Sequence, residues 1–336
     1  MKPIRIETSG SRSINPGRSP VGIYNPLHKV LEHFADRLAE SLEVSGITSV
    51  RLRSLNGEVG DDLRAKAFAL GAHVKNARHH VRAGGPNVVT WPLLGWWEMP
   101  LWRHNAHKTL VVMHDPEALV RQNGLSPSSA AASARISGAK WPHLVTMSPE
   151  AYALTARYFN AERVHLVPHP MTAPVTDNST RAGRKVLVLG QHKPARDLDV
   201  MASIATPLRA AGWEPTVAGR GWPLIPGWNV VDRFLADQEF HELICSSAVV
   251  LLPYRYYFQS GVALRALEAG VPVVGRQTGF LTSIFGTGFP GAVDDWGQPA
   301  AWLAAITAAD SARGDQIQAA ADYAARGTAE WAALLG

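Results

Sequence analysis

The stretch AVVLLPYRYYFQSGVALRALEAGVPVVGRQTG, residues 248–279, predicts a strand, a loop, a helix and a second strand in that order. Residues 248–252 form an unbroken apolar run, which is typical of a strand buried on both faces of a parallel sheet. From Ser260, whose hydroxyl suits the N-cap position, apolar residues recur at helical spacing. Gly270 fits the end of this helix, and residues 271–274 then form the next strand.

The start of the predicted helix has the features of a phosphate site. A helix that follows such a strand leaves the carboxyl-terminal edge of the sheet, where open α/β sheets bind ligands. Its unpaired backbone N–H groups, its positive end and the absence of a side chain at Gly261 suit a phosphate or diphosphate. Arg255, in the preceding loop, could add a charge-assisted hydrogen bond. The alternative is a connecting helix that begins with a small residue.

The order of these features resembles the donor-nucleotide half of GT-B glycosyltransferases, close to glycosyltransferase family 4. The resemblance is carried by the apolar strand, PYR, SG, the amphipathic helix, AxEAGVPVV and the glycine after it. In relatives of this type the Ser-Gly pair at the helix start holds the diphosphate of the nucleotide sugar. The resemblance therefore implies a donor-diphosphate site at Ser260, Gly261 and Val262.

The chain departs from the commoner family-4 pattern around this helix. That pattern has two glutamates eight residues apart, and the aligned positions here hold Tyr257 and Arg265. Glu268 lies one turn away from the expected place. Together with Gln259 and Arg255, it is predicted to contact the ribose or the sugar of the donor.

Composition limits the classes of protein. With 336 residues the chain is long enough for two domains with sizeable cores. Its net charge of +5 favours anionic partners, and the lack of a lysine–arginine block argues against nucleic acid. No apolar run approaches the ~18–20 residues of a membrane span and Met1 begins no secretory signal, so a cytoplasmic protein is expected. The single Cys245 excludes an intramolecular disulfide and a multi-cysteine zinc site.

The first half of the chain predicts a Rossmann-like domain. Residues 3–7 predict a first strand, residues 9–22 a loop that contains Gly17 and Gly22, and residues 27–43 an amphipathic helix. In many GT-B enzymes the loop at this place closes around the donor phosphates, and a long surface turn is the alternative. Further strands are predicted at residues 46–52, 87–91, 108–113, 143–147 and 164–167, and a helix at residues 62–70.

Four tryptophans, Trp91, Trp96, Trp97 and Trp102, fall within twelve residues, and the basic side chains of Arg103, His104, His107 and Lys108 follow them. Aromatic rings beside basic side chains suit the headgroup region of a membrane, so this stretch predicts contact with a membrane surface. The alternatives are rings that pack against the next helix and rings that line an acceptor cleft.

His114-Asp115-Pro116 follows the strand predicted at residues 108–113 and resembles the TVHD segment of family 4. In the family this histidine lies beside the donor sugar at the domain cleft. The resemblance implies that His114 donates to a sugar hydroxyl or moves a proton near neutral pH. Asp115 or His114 would serve as the base of an inverting enzyme. A structural histidine at a strand end is the alternative.

The second half restarts with an apolar strand at residues 185–189, followed by GQHKPARDLDVM. In family 4 this is the segment from which a basic side chain reaches the donor phosphates. Arg196 is the favoured candidate for that role and Lys193 is the other. A solvated charge at a helix start is the alternative.

Two further motifs of the second half bear on the site. Asp197-Leu198-Asp199 matches the DxD metal motif of the other glycosyltransferase fold, but its position at a helix start favours a structural role, and no metal site is predicted. The resemblance puts Arg233 and Phe234 nearest the nucleobase.

Together these observations predict α/β structure with GT-B architecture, two Rossmann-like domains that face a central cleft. Residues 1–170 would form the acceptor-side domain, 171–184 a linker and 185–315 the donor-nucleotide domain, with a C-terminal helix at 316–336 that crosses back to the first domain. The chain would be a hexosyltransferase-like glycosyltransferase of polysaccharide biosynthesis. It would retain the anomeric configuration of the sugar and need no metal ion or cofactor. It would lie in the cytoplasm, at the inner face of the membrane. It would move a sugar from a nucleotide-diphosphate donor to a glycan, lipid-linked or small-molecule acceptor. A non-catalytic nucleotide- or carbohydrate-binding protein and a sugar-nucleotide epimerase on the same fold are the alternatives.

Overall fold

The computed structural model describes residues 19–26, 31–53, 68, 70–77, 85–117, 124–175 and 183–336. These residues form two sheets in which every strand pairs in parallel with its neighbours. The chain divides into two compact units, Met1–Met171 together with Arg326–Gly336, and Thr172–Ala325. Two parallel sheets with connecting helices confirm the predicted α/β fold of two Rossmann-like domains.

The first unit contains a six-stranded sheet with the order β2-β1-β3-β4-β5-β6. Its strands are β1 (Val21–Asn25), β2 (Ser49–Arg53), β3 (Asn87–Val89), β4 (Thr109–Val112), β5 (His143–Thr146) and β6 (Val164–Leu166). Its helices are α1 (Glu32–Val44), α2 (Glu98–Leu101), α3 (Pro127–Ser137) and α4 (Pro149–Ala156), with helical residues at 70–77 and 3-10 turns at Gly95–Trp97, Arg103–Lys108 and Ala161–Arg163. The predicted strands from residue 46 onward are therefore present, with ends shifted by a few residues.

The start of this unit differs from the sequence-based prediction. Gly22 lies inside β1, where it pairs with Val50 and Asn87, and not in a loop. A Cβ at this position would come within 2.7 Å of Asn87 Oδ1, so the glycine permits close packing of the strand. The helix predicted from residue 27 begins at Glu32. Gly17, the strand predicted at residues 3–7 and most of the helix predicted at 62–70 lie outside the described residues.

The sheet of the first unit has a hydrophobic core on each face. On one face the apolar side of α1 packs against β1 and β4, and the buried Trp331 joins this core. The indole Nε1–H of Trp331 donates to the carbonyl oxygen of Pro168 at 2.9 Å. The end of the last helix of the chain thus contributes a large side chain to the first unit.

The tryptophan-rich stretch belongs largely to the core on the other face. Trp96 is 2% exposed and Trp102 is fully buried. The indole of Trp102 donates to the buried carboxylate of Glu98 at 2.9 Å. Trp97 keeps 37% of its surface exposed and Trp91 is half-buried. Trp96 and Trp102 therefore do not contact a membrane surface, because they pack inside the unit. Membrane contact through Trp91 and Trp97 stays a prediction.

The second unit contains a five-stranded sheet with the order β11-β10-β7-β8-β9. Its strands are β7 (Lys185–Leu189), β8 (Glu214–Gly219), β9 (Asn229–Asp232), β10 (Val249–Leu252) and β11 (Val273–Gly275). Its helices are α5 (Leu198–Ala210), α6 (Asp237–Cys245), α7 (Gly261–Glu268), α8 (Gly279–Phe285), α9 (Pro299–Ser311) and α10 (Arg313–Leu335), the last of which continues into the residues of the first unit. Among the helices of the described residues, none is both long enough and apolar enough to span a membrane.

The stretch at residues 248–279 folds as its sequence predicts. Ser260 is the N-cap of α7, and its hydroxyl oxygen accepts from the backbone N–H of Ala263 at 3.2 Å. Gly270 ends the helix with a φ of +67°, the left-handed region that favours glycine. The next strand is shorter than predicted, since β11 begins at Val273. Helix α7 therefore starts at the carboxyl-terminal edge of the sheet, where the predicted phosphate site lies.

Candidate functional site

The first turn of α7 is open toward its surroundings. Gly261 is exposed, and a Cβ built on it would meet no atom within 4 Å. The first N–H groups of an α-helix have no carbonyl partner within that helix, and the Ser260 side chain satisfies the N–H of Ala263. The backbone N–H groups of Gly261 and Val262 begin the helix at this open end. They form a positively polarised surface that is suited to an anion.

Arg196 lies beside this turn. Its guanidinium is buried between the rings of Trp222 and Tyr254, whose centroids lie 4.8 and 4.6 Å away. One nitrogen, Nη2, donates to the carbonyl oxygen of Leu189 at 2.6 Å. Its Nε is buried without a hydrogen-bond partner among the described residues. A buried cation with an unused donor is an unusual feature, and its positive charge favours an anion nearby.

Arg196 and the first turn of α7 both lie beside Gly190. A Cβ built on Gly190 would lie 3.2 Å from Arg196 Nη2 and 3.6 Å from Val262 Cγ2. Gly190 directly follows β7, so the arginine, the glycine and the first turn of α7 converge at the carboxyl ends of β7 and β10. Lys193, the other cationic candidate, is exposed in the loop after Gly190. Burial lowers the pKa of Arg196, but a guanidinium keeps its charge.

The Asp-Leu-Asp sequence holds an arginine. Asp197 accepts from Arg255 Nε at 2.9 Å and from Arg255 Nη2 at 3.0 Å, and Asp199 accepts from the same Nη2 at 3.2 Å. Asp197 also caps α5 by accepting from Val200 N–H, which is the structural role predicted for it. Among the described residues, no group of three or more His, Cys, Asp or Glu side chains could hold a metal ion.

The structure does not bring Glu268 to the first turn of α7. Its carboxylate is buried at the other end of the helix, where it accepts from the backbone N–H of Thr172 at 2.9 Å. Eight residues of helix rise about 12 Å, so Glu268 lies roughly that far from Ser260. The predicted contact between Glu268 and the ribose or sugar does not fit this position. Gln259 is half-buried immediately before the cap.

Arg233 and Phe234, predicted near the nucleobase, follow β9. Arg233 forms a bidentate ion pair with Glu239, and Phe234 is 76% exposed. β9 lies two strands from β7 in the sheet, and neighbouring strands are about 4.8 Å apart. These residues therefore follow a strand that lies roughly 10 Å from β7 along the same edge of the sheet.

Two residues of the site were missed by the sequence analysis. The indole of Trp222 donates to the carbonyl oxygen of Gly190 at 2.8 Å and lies over Arg196. Tyr254 covers Arg196 from the other side and pairs with it through a backbone bridge. The GRGW sequence after β8 was visible as a turn, but no local pattern shows that its tryptophan stacks on an arginine 26 residues earlier.

In the first unit, His114 follows β4 and is buried. Its Nε2 lies 2.9 Å from the carbonyl oxygen of Thr90, so this nitrogen carries the proton and donates. Its ring stacks on Trp91 and meets the edge of Phe34. Burial lowers the pKa of His114 to about 3. These features do not favour proton transfer near neutral pH, and a catalytic role for His114 or for the half-buried Asp115 stays a prediction.

Two parallel-sheet α/β units in one chain are the architecture of the GT-B fold. No protein-family model matches the chain, and no curated protein matches it by sequence. Among solved structures, the chain resembles the sucrose-phosphate synthase of Thermosynechococcus elongatus with a TM-score of 0.66 and 15% identity, over 95% of this chain and 98% of that one. The UDP-forming α,α-trehalose-phosphate synthase of Burkholderia vietnamiensis gives a TM-score of 0.62 and 10% identity, over 94% and 99%.

A TarM variant of S. aureus, solved with fondaparinux, α-GlcNAc-glycerol and UDP, gives a TM-score of 0.58 and 11% identity, over 78% of this chain and 57% of that one. Such similarities at low identity establish the fold. At the level of the fold, these similarities confirm the resemblance to GT-B glycosyltransferases.

Proposed function

We propose that this protein is a glycosyltransferase that uses a nucleoside-diphosphate sugar as its donor. The observation that carries the proposal is the open first turn of α7 with the buried Arg196 beside it. This turn supplies backbone donors and Arg196 supplies a fixed charge. A diphosphate is the ligand whose size and charge suit both.

The chemistry follows from this arrangement. The bond between the sugar C1 and the diphosphate oxygen breaks, and C1 forms a bond with an acceptor hydroxyl oxygen. The negative charge that develops on the diphosphate is stabilised by the helix N-terminus and by Arg196, in place of a metal ion. In the retaining mechanism that the family resemblance implies, the leaving diphosphate takes the proton of the acceptor hydroxyl.

The rest of the donor would lie along the same edge of the sheet. A nucleoside attached to this diphosphate would extend along the edge toward the loop after β9, a strand that lies roughly 10 Å from β7 in the sheet. The exposed ring of Phe234 suits stacking on a base. Gln259 and Arg255, which lie just before α7, suit the hydroxyls of the ribose or the sugar.

The similar structures support the choice of donor. One of them is named as a UDP-forming synthase, and another was solved with UDP. We therefore infer that UDP is the first nucleotide to test. Acceptors of the glycan, lipid-linked and small-molecule classes all remain within the proposal.

Thermal unfolding with UDP, GDP, TDP, ADP and CMP tests the donor site. A ligand that binds the folded state stabilises it by RT ln(1 + [L]/Kd), which is about 1.4 kcal/mol at a tenfold excess over Kd. We expect one diphosphate to raise the melting temperature and Ser260→Trp to abolish the shift. The absence of a shift with every nucleotide would contradict the donor site.

Turnover separates an enzyme from a binding protein on the same fold. The sugar nucleotide whose base gives the shift is incubated with the protein, and release of its nucleoside diphosphate is measured. Slow release without an acceptor and faster release with one support the glycosyltransferase. Binding without release would favour the non-catalytic alternative, and a free sugar of altered stereochemistry would favour an epimerase.

A further inference from the structure

A short two-stranded ribbon joins the loops that follow β7 and β10. The backbone N–H of Asp197 donates to the carbonyl oxygen of Pro253 at 2.8 Å, and that of Arg255 donates to Ala195 at 2.8 Å. Between these bonds, Arg196 and Tyr254 form an antiparallel bridge. Since β7 and β10 are neighbours in the sheet, the ribbon extends their contact beyond the carboxyl-terminal edge.

Arg196 and Asp197 are consecutive in this ribbon, and successive side chains of an extended chain point to opposite sides. The Arg196 side chain lies beside Gly190, and Gly190 in turn lies beside Val262 at the start of α7. The Asp197 carboxylate reaches Arg255 and Trp296 on the other side. Hydrogen bonds that hold the Asp197 side chain therefore also restrain the backbone from which the Arg196 side chain extends.

Asp197 is held by more partners than its capping role requires. Its carboxylate is buried and accepts two hydrogen bonds from Arg255 and one from the indole of Trp296, at distances of 2.9 to 3.0 Å. It also accepts from Val200 at the start of α5. Four donors from three separate parts of the chain converge on this one side chain. The hydrogen bonds of Arg255 lower the pKa of Asp197 to about 2, so it stays charged.

The neighbouring Asp199 offers a natural comparison. It contacts the same Arg255, but its side chain is 94% exposed and receives a single hydrogen bond at 3.2 Å. Exposed pairs of this kind contribute little to stability. The hydrogen bonds that hold the Arg255 side chain in place therefore depend mainly on Asp197.

We propose that Asp197 is a positioning residue for the diphosphate site, which it serves by clamping Arg255 and Trp296 so that Arg196 stays directed at the first turn of α7. This inference rests on the proposed function and deepens it. It gives the first aspartate of the Asp-x-Asp sequence a role in phosphate binding that involves no metal ion. Arg255 is then the partner that holds the ribbon, in addition to any contact with the donor.

The test is the affinity for UDP, or for whichever of GDP, TDP and ADP binds the wild-type protein, measured by isothermal titration. Asp197→Asn keeps the size and the capping ability of the side chain but loses the charge that pairs with Arg255. We expect its Kd to rise about tenfold, and Arg255→Gln to reproduce the rise. Asp199→Asn removes a charge from the same helix turn and is expected to leave Kd within about twofold of wild type.

A double-mutant cycle separates positioning from a general loss of structure. If Asp197 acts through Arg196, Asp197→Asn will not weaken binding further in a protein that already carries Arg196→Gln, because the effects of coupled residues do not add. Arg196→Lys provides a second background should the glutamine variant not fold. An equal loss of affinity in both backgrounds, or wild-type affinity in Asp197→Asn, would overturn the positioning role and leave the donor site intact. Failure of the wild-type protein to bind any of the diphosphates would overturn the donor site and this inference with it.

Discussion

The indole N–H of Trp222 donates to the carbonyl oxygen of Gly190 at 2.8 Å, across the carboxyl ends of β7 and β8. The same indole ring covers the guanidinium of Arg196. On its other side, the loop of Trp222 is held by Asp232, which accepts from the backbone N–H groups of Gly221 and Trp222. This tryptophan thus connects the loops of three neighbouring strands to the candidate phosphate site.

Replacing Trp222 with phenylalanine tests this connection. The variant keeps an apolar ring but removes the donor to Gly190, and a hydrogen bond of this kind contributes about 1 kcal/mol, with additional loss from the smaller ring. We expect Trp222→Phe to lower the free energy of unfolding in urea by about 1–3 kcal/mol. Trp97→Phe, a change at a partly exposed ring, is the control and should be close to neutral. Equal stability of the two variants would contradict the role given to Trp222.

The sequence predicted the strand, loop and helix at residues 248–279 because each of their signals is local. A buried parallel strand is a continuous apolar run, a serine caps the helix, and a glycine ends it. The N-cap at Ser260 and the positive φ of Gly270 are both present. The helix and strand ends moved by only one or two residues because propensities change gradually along a chain.

Other features depend on residues far apart in the sequence and could not be predicted. The short segment Val21–Asn25 contains a glycine, and its pairing with β2 and β3 determines that it is a strand. The aromatic faces around Arg196 come from two different loops. Glu268 lies near the donor site in the sequence, but helix geometry carries its carboxylate to the opposite end of α7.

The close approach of Gly219 to Gly190 gives a prediction about stability. Gly219 has a φ of +140°, and a Cβ on it would lie 2.3 Å from the backbone oxygen of Gly190. Because the backbone of Gly190, directly after the central strand β7, cannot easily move, we expect Gly219→Ala to lower the free energy of unfolding by roughly 3 kcal/mol or more. Gly212→Ala is the matched control, since Gly212 also has a positive φ but open space around it, and should cost about 1 kcal/mol. Urea denaturation of both variants measures the difference, and equal losses of stability would contradict the close approach of Gly219 to Gly190.

A pair of glycines tests the diphosphate site without disturbing the fold. Gly261 and Gly314 both lie in the first turn of a helix, and a Cβ on either would meet no atom within 4 Å. Alanine is favourable in helices, so both variants should be at least as stable as the wild-type protein. We expect Gly261→Ala to weaken nucleoside-diphosphate binding about tenfold because the methyl group enters the space of the phosphate. Gly314→Ala should bind like wild type, and equal affinity of both variants would argue against a ligand at the start of α7.

The buried His114 predicts a pH dependence of stability. In the unfolded chain a histidine takes up a proton near its ordinary pKa of about 6.5, whereas burial holds the pKa of folded His114 at about 3. Below pH 6.5 the unfolded state therefore binds more protons, and the free energy of unfolding falls as the pH falls, by up to about 1.4 kcal/mol per pH unit from this group. The hydrogen-bonded pair His143 and His165, whose pKa values are also lowered by burial, adds to the fall in the same direction.

The measurement is the slope of stability against pH between 6.5 and 4.5 for the wild-type protein and for His114→Gln. The variant cannot take up the proton, so its stability should fall less steeply than that of the wild-type protein, whatever its stability at neutral pH. His104→Gln replaces an exposed histidine and should keep the wild-type slope. If His114→Gln also kept that slope, the ring would titrate normally in the folded protein, and proton transfer near neutral pH would again be open to it.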